Sequence, residues 1–150
     1  MVRRKSERIR LLQKLASQYE QLAAQDLGRS TNNLLSQQGR LEQLKKFRED
    51  YKRQFNELGR QGMDGTTIMA FQNFLQQLDT AIVQQQQVVV ASQSENQQQK
   101  SNWQDKHTTT RVYDKTLERT LSKEARQDNR KQQSETDDLV QHRKPGDDQH

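Results

Sequence analysis

The chain has 150 residues, of which 29% are hydrophobic and 30% are charged, and its formal net charge is +5. So little apolar material excludes a large globular core and leaves two interpretations, a disordered chain or long helices that each bury a narrow stripe. The absence of cysteine excludes disulfides and thiol chemistry. The opening residues lack an apolar run typical of a secretory signal or a membrane span, so we expect a cytoplasmic protein.

Basic residues are concentrated at the start of the chain, where only Glu7 opposes them. This basic arm consists of Arg3, Arg4, Lys5, Arg8 and Arg10. Such a run is most often a solvated helix face, but it would also suit an acidic partner, because opposite charges speed association. Elsewhere the two signs of charge are mixed, which argues against nucleic-acid binding.

The first predicted helix carries a heptad seam, meaning a line of side chains that faces a partner helix. Its positions are Leu27, Leu34, Leu41, Arg48 and Phe55, with companions three residues later that include Leu44, Tyr51 and Leu58. Four large residues upstream keep the three-and-four spacing in a different phase, which predicts a stutter in the supercoil. They are Leu12, Leu15, Tyr19 and Leu22.

A glycine-rich segment follows the first helix. Gly59, Gly62 and Gly65 tolerate positive φ angles, and Asp64 suits a helix start. We therefore expect the chain to reverse at about residues 59–66.

The second predicted helix carries a longer and more polar seam. Its positions are Ile68, Leu75, Ile82, Val89, Asn96, Trp103, Thr110 and Leu117, with companions Phe71, Leu78, Gln85, Ser92, Gln99, Lys106 and Tyr113. Because its middle is polar, we expect weak association rather than a leucine zipper.

These elements predict an all-α fold, a long antiparallel two-helix coiled-coil hairpin over residues 1–121. Residues equally distant from Gly62 should then face each other. The expected pairs are Phe55 with Met69, Leu34 with Val90, Leu22 with Trp103, and Leu12 with Tyr113. Residues 122–150 lose the apolar seam, so we expect a polar helical extension or a disordered tail.

No catalytic or cofactor motif is present. His107, His142 and His150 lack metal-ligand spacing, and no glycine-rich phosphate loop occurs. A two-helix structure also offers no enclosed pocket in which to shift pKa values. We therefore expect no enzymatic activity, no metal and no cofactor.

A second apolar stripe lies beside the seam at the start of the second helix. Its members, at helical spacing, are Phe74, Leu78, Ala81 and Gln85. Phe74 has no inward role there, since Phe71 and Leu75 already supply the seam. It either packs against the turn near Met63 or serves as an exposed aromatic anchor for a partner.

The run from Leu41 to Gln87, "LEQLKKFREDYKRQFNELGRQGMDGTTIMAFQNFLQQLDTAIVQQQ", resembles the flagellar export protein FliJ family. The tryptophan of the following helix and the acidic "ETDD" near the end are also similar. The resemblance implies an antiparallel coiled coil that inserts into the hexameric ring of the export ATPase FliI. It further implies a link from that ATPase to the membrane export gate FlhA and help for export chaperones.

The family's gate-contacting residues correspond to Phe74, Leu78, Ala81 and Gln85, although Gln85 departs from the residue type expected there. The basic arm is the corresponding candidate for the ATPase. Peripheral membrane association would come through these partners, and a virulence secretion stalk is a related variant.

Two other interpretations remain open. A coiled-coil scaffold or nucleic-acid-binding protein would bind DNA or RNA with a steep dependence on salt. A chain that folds only on its partner would show weak helicity when isolated.

Overall fold

The computed structural model describes residues 4–142. Within that range the chain forms two helices, α1 (Lys5–Gln61) and α2 (Gly65–His142), and no strand. The two helices pack against each other in antiparallel directions, so the predicted all-α two-helix hairpin is confirmed. No proline interrupts either helix, since the single proline is Pro145.

The reversal between the helices occupies residues 62–64. Gly62 has a φ of 89°, and its N–H lies 3.4 Å from the carbonyl oxygen of Gly59. Asp64 caps α2, because its Oδ1 accepts a hydrogen bond of 2.8 Å from the N–H of Thr67. Hydrogen bonds from the Thr67 side chain, and then from its backbone, hold the pKa of Asp64 below its usual value.

The packed residues form two compact units. The turn unit is Gln21–Gln104, and the terminal unit combines Met1–Glu20 with Asp105–His150, of which residues 4–20 and 105–142 are described. The division expected after residue 121 stays a prediction.

In the turn unit, the seams follow the predicted heptads. The shielded positions of α1 are Ala23, Leu27, Ser30, Leu34, Gln37, Leu41, Leu44, Arg48, Tyr51 and Phe55. Those of α2 are Ile68, Phe71, Leu75, Leu78, Ile82, Gln85, Val89, Ser92, Asn96, Gln99 and Trp103. Both sets alternate spacings of three and four, which keeps one face of each helix inward.

Two of the expected facing pairs are wrong in detail. Met69 and Val90 are 64% and 63% exposed, because their helical phase turns them away from α1. Phe55 meets Phe71 instead, with ring centroids 5.4 Å apart, and Val89 is buried in place of Val90.

The middle of the turn unit is joined by a polar layer. The Asn96 amide donates to the hydroxyls of Ser30 and Thr31 at 3.0 and 2.9 Å, and the Asn33 amide donates to the hydroxyl of Ser92 at 3.3 Å. These contacts satisfy polar groups that apolar neighbours would leave unpaired.

In the terminal unit, the inward positions of α1 differ from those expected, whereas Thr110, Tyr113 and Leu117 of α2 lie inward as expected. The inward residues of α1 are Ser6, Ile9, Gln13, Ala16 and Glu20, and those of α2 are His107, Thr110, Tyr113, Leu117, Thr120 and Glu124. The predicted stutter is therefore wrong, since the spacing of three and four already runs through small side chains such as Ala16. Leu12, Leu15 and Tyr19 are left 46%, 46% and 52% exposed.

Two further residues depart from the predicted phase. Leu22, at the start of the turn unit, is 55% exposed. Lys106, which was expected to face α1, is exposed as well. His107 lies inward in its place. His107 Nδ1 lies 2.5 Å from Glu20 Oε1, and this hydrogen bond lowers the pKa of Glu20.

Polar contacts join the two helices near the start of α1. The Ser6 hydroxyl donates to Glu124 Oε2 at 2.6 Å, and the guanidinium of Arg4 donates to the carboxylate of Asp128 at 3.1 Å. Residues 125–141 of α2 are all exposed. The helix thus continues past its last contact with α1 as a single polar extension.

Candidate protein-docking surfaces

An aromatic patch, formed by Phe47, Tyr51 and Phe74, joins the two helices of the turn unit. The ring centroid of Phe74 lies 4.6 Å from that of Tyr51 and 6.2 Å from that of Phe47, with an edge-on arrangement to the latter. Both distances suit favourable aromatic pairs. Phe47 and Phe74 nevertheless remain 51% and 36% exposed.

The four residues of the predicted stripe occupy different depths. Phe74 is on the surface, but Leu78 is 7% exposed and belongs to the seam. Ala81 is half-buried, as is Gln85, whose amide donates to the backbone carbonyl of Gln37 at 2.9 Å. Phe74 is thus the exposed member of the stripe, and Leu78, Ala81 and Gln85 are shielded to different degrees. The four residues do not form a continuous exposed surface.

Sequence reasoning missed the α1 side of this surface. A shallow groove lined by Arg40, Gln43, Leu44, Phe47 and Gln85 continues from the patch. The expected antiparallel pairing already places Phe74 close to Tyr51, so the register could have found that ring. Phe47 lies one turn before Tyr51, on the same face.

One ion pair that joins the two helices next to the patch is satisfied within the chain. Arg48, 27% exposed at its side chain, contacts the carboxylate of Asp79, and this hydrogen bond raises the pKa of Arg48. Neither charge needs a partner protein for compensation. The patch therefore presents rings and aliphatic surface rather than an unpaired charge.

The residues of the basic arm are in different situations. Arg3 lies outside the described residues, and Arg4 is bound to Asp128 and lies 3.8 Å from Glu124. The remaining three cations, Lys5, Arg8 and Arg10, are exposed. Arg4 is exposed as well, but its guanidinium is paired with Asp128.

Residues 5–144 match the family model described as Flagellar FliJ protein. The chain belongs to the FliJ family. The resemblance seen in the sequence is confirmed, and membership makes this chain a component of the flagellar export machinery. Comparisons with curated proteins and with solved structures gave no match.

The described part of this FliJ-family chain contains neither a candidate metal site nor a helix that could cross a membrane. Among residues 4–142, no group of three histidine, aspartate or glutamate side chains could hold a metal ion. No helix in that range is long and apolar enough to cross a membrane. His107 is engaged with Glu20, while the side chain of His142 and the whole of His150 lie outside the description.

Proposed function

We propose that this protein is a non-catalytic stalk and adaptor of flagellar export. In this role it links the ring of the export ATPase FliI to the membrane gate FlhA and assists export chaperones. It works in the cytoplasm, at the inner face of the membrane, through these partners. Family membership and the exposed aromatic patch are the two findings that support this role.

The aromatic patch is the proposed docking site for the gate. Exposed rings carry much of the binding energy in protein interfaces, because they bury a large area at a small entropic cost. Phe47 and Phe74 meet this condition, and the adjoining groove adds aliphatic surface from Leu44. The site thus includes α1 residues beside the predicted Phe74, Leu78, Ala81 and Gln85.

The less exposed members of the predicted site, Leu78, Ala81 and Gln85, contribute to gate binding less directly than Phe74 does. Leu78 lies one helical turn after Phe74 and supports α2 against α1. Ala81 follows on the same helix, where its small side chain would let a partner approach closely, and Gln85 lines the adjoining groove. Phe74 is therefore the residue whose truncation tests binding most directly.

The exposed cations of the arm, Lys5, Arg8 and Arg10, are the proposed contacts with the ATPase ring. Their charges would accelerate association with an acidic surface and would act less on the dissociation rate. Arg4 contributes less, since Asp128 already holds its guanidinium.

Gate binding can be tested with Phe74→Ala and Phe47→Ala in the full chain. We expect each variant to weaken binding of the cytoplasmic domain of FlhA at least about tenfold, because a central aromatic anchor is lost. Isothermal calorimetry gives the affinity, and circular dichroism reports whether helicity is retained.

Val83→Ala is the matched control, since Val83 is 53% exposed on the same helix and lies outside the patch. Its affinity should equal that of the wild type. Unchanged gate binding by both phenylalanine variants would show that the patch is not the docking site. Leu78→Ala is unsuitable for this purpose, because it would also weaken the seam.

A further inference from the structure

The groove beside the aromatic patch contains a cation without an intramolecular partner. Arg40 lines this groove together with Leu44, Phe47 and Gln85, and it is exposed. No acidic residue lies three or four positions from Arg40 along α1. Within residues 4–142, the Arg40 side chain forms no ion pair and no hydrogen bond.

The facing stretch of α2 supplies no carboxylate either. Phe47 of α1 meets Phe74 of α2. In antiparallel helices of equal rise, residues displaced by the same number from such a pair lie level with each other, so Arg40 lies level with Ala81. Residues 80–94 of α2 contain no charged side chain. The positive charge of Arg40 therefore faces a neutral surface.

Other arginines of α1 obtain their carboxylate from the same helix. Two of them contact an aspartate three positions earlier, in the pairs Arg29–Asp26 and Arg53–Asp50. The residue three positions before Arg40 is Gln37, whose side-chain oxygen accepts a hydrogen bond of 2.9 Å from the Gln85 amide. The guanidinium of Arg40 is thus left for a group outside the described chain.

The α2 side of this surface has a spacing that suits a third helix. Phe74, Ala81 and Val88 follow each other at intervals of seven residues, so they lie on one face of α2. Phe74 and Val88 are 36% and 41% exposed, and the smaller Ala81 between them is half-buried. A large, small and large side chain at this period can receive the side chains of a helix that packs alongside.

The positions of Arg40 and Phe47 define the spacing that a partner helix needs. They are seven residues apart on α1, which corresponds to about 10 Å along the helix axis. A partner helix running along the groove covers this distance in two turns. A purely apolar partner would bury the guanidinium without compensation, which is costly. The fitting partner therefore carries an apolar anchor for the rings and a carboxylate about seven residues away on the same face.

We propose that the gate docks on this surface through a helix with an acidic residue two turns from its apolar anchor, and that Arg40 pairs with that acidic residue. The proposal rests on the proposed docking of the gate and adds the charge and spacing of the gate segment. A guanidinium can donate two parallel hydrogen bonds to one carboxylate, so the pair also fixes orientation. Helices that lack the carboxylate are rejected, because they leave Arg40 buried and unpaired.

Charge reversal in the full chain tests the pairing. Isothermal calorimetry against the cytoplasmic domain of FlhA should show that Arg40→Glu binds at least about tenfold more weakly, because two carboxylates would then meet in the groove. Arg40→Lys keeps the charge but loses the paired hydrogen bonds, so it should bind about two- to fivefold more weakly. Added salt should weaken the wild-type complex more than the Arg40→Glu complex.

Lys52→Glu is the matched control for these variants. Lys52 is an exposed cation on the same helix, and it lies about 140° around the helix from Phe47. Its reversal should leave gate affinity unchanged. Circular dichroism should show wild-type helicity for all three variants, since each changes an exposed side chain.

A charge swap identifies the partner residue. The acidic residues of the gate domain are replaced by lysine, one at a time. One replacement should weaken binding to the wild-type chain and bring binding of Arg40→Glu back to within about threefold of the wild-type complex. Failure of every replacement to restore binding would overturn the proposal.

The variants also separate this proposal from the proposed docking site. Unchanged gate binding by Arg40→Glu, with weaker binding by Phe74→Ala, would overturn the role of Arg40 and leave the docking site intact. Unchanged binding by both would overturn the docking site as well. A wild-type chain that dimerises without the gate, and a monomeric Arg40→Glu variant, would overturn the proposal and assign the groove to a second copy. Sedimentation equilibrium distinguishes that case.

Discussion

The turn unit and the terminal unit use the same spacing of inward positions but fill them with different side chains. The turn unit buries three large aliphatic side chains, Leu78, Ile82 and Val89, whereas the terminal unit buries two, Ile9 and Leu117. Both units also bury small side chains, namely Ala23, Ser30 and Ser92 in the turn unit and Ser6, Ala16 and Thr120 in the terminal unit. Spacing thus decides which residues face the partner helix. The size of the residues at those positions decides how much apolar area each unit buries.

This difference predicts unequal local stability. Burial of apolar surface contributes about 25 cal/mol per Å², so the turn unit, which buries one more large aliphatic side chain than the terminal unit, gains more. Hydrogen bonds join the helices in both units, for example Ser6 with Glu124 in the terminal unit and Asn96 with Ser30 in the turn unit. We expect the terminal unit to open more readily than the turn unit.

The largest expected effect comes from Leu78→Ala in the turn unit. Removing this side chain, which is 7% exposed, should lower the free energy of unfolding by about 2 kcal/mol through lost burial and a residual cavity. Urea denaturation followed by circular dichroism measures the change.

Leu15→Ala in the terminal unit serves as the comparison with Leu78→Ala, since Leu15 is 46% exposed. We expect it to change the free energy of unfolding by less than about 0.5 kcal/mol in dilute protein. Equal losses from the two variants would mean that both leucines contribute similarly to folding.

A smaller effect should follow from Gly62→Ala at the turn. A side chain is strained at the φ of 89°, so we expect a loss of about 1 kcal/mol. Gly39→Ala is the opposite case, since Gly39 lies inside α1 with no atom within 4 Å of the added Cβ. There the better helix propensity of alanine should stabilise the protein by about 0.5–1 kcal/mol.

Thermal melts of both glycine variants measure the two shifts. Shifts of the same sign would contradict a strained turn at Gly62.

The smallest expected effect concerns the pH dependence of the terminal unit. The hydrogen bond with His107 lowers the pKa of Glu20 below its ordinary value of 4.5 in the folded state. The stabilising contribution of ionised Glu20 is therefore complete above about pH 4.5. It is lost as the pH falls through the lowered pKa that Glu20 has in the folded protein. Melts of wild type and Glu20→Gln between neutral and acidic pH should show a smaller acid-side decrease in the variant.

Hydrogen exchange at the amides of residues 105–110 localises this pH effect. An acid-side decrease of equal size in wild type and Glu20→Gln would exclude Glu20 as its source.

Much of the fold could be predicted because heptad spacing and glycine placement are local signals. The helical phase of α1 before Leu27 could not be predicted. Leu12, Leu15 and Tyr19 carry a strong hydrophobic signal there and therefore predict the wrong inward face. Counting back from Leu27 through Ala23 and Ala16 gives the observed phase. Small side chains carry a weak hydrophobic signal even where they are buried.

The candidate docking surface could be predicted only in part. Phe74 was identified from its position beside the seam, but Phe47 and Tyr51 depend on how α1 and α2 align. That alignment involves contacts between residues far apart in sequence. An error of one or two positions, as for Met69 and Val90, is enough to exchange exposed and buried neighbours.

The polar layer of Asn96, Ser30, Asn33 and Ser92 has a mechanical consequence. Leucine pairs would tolerate a slide of one heptad, because one leucine replaces another, but a slide that brought Asn96 opposite Ala23 would leave its amide without an acceptor. The layer therefore fixes the register of the two helices. Helices displaced along each other would return to a single alignment.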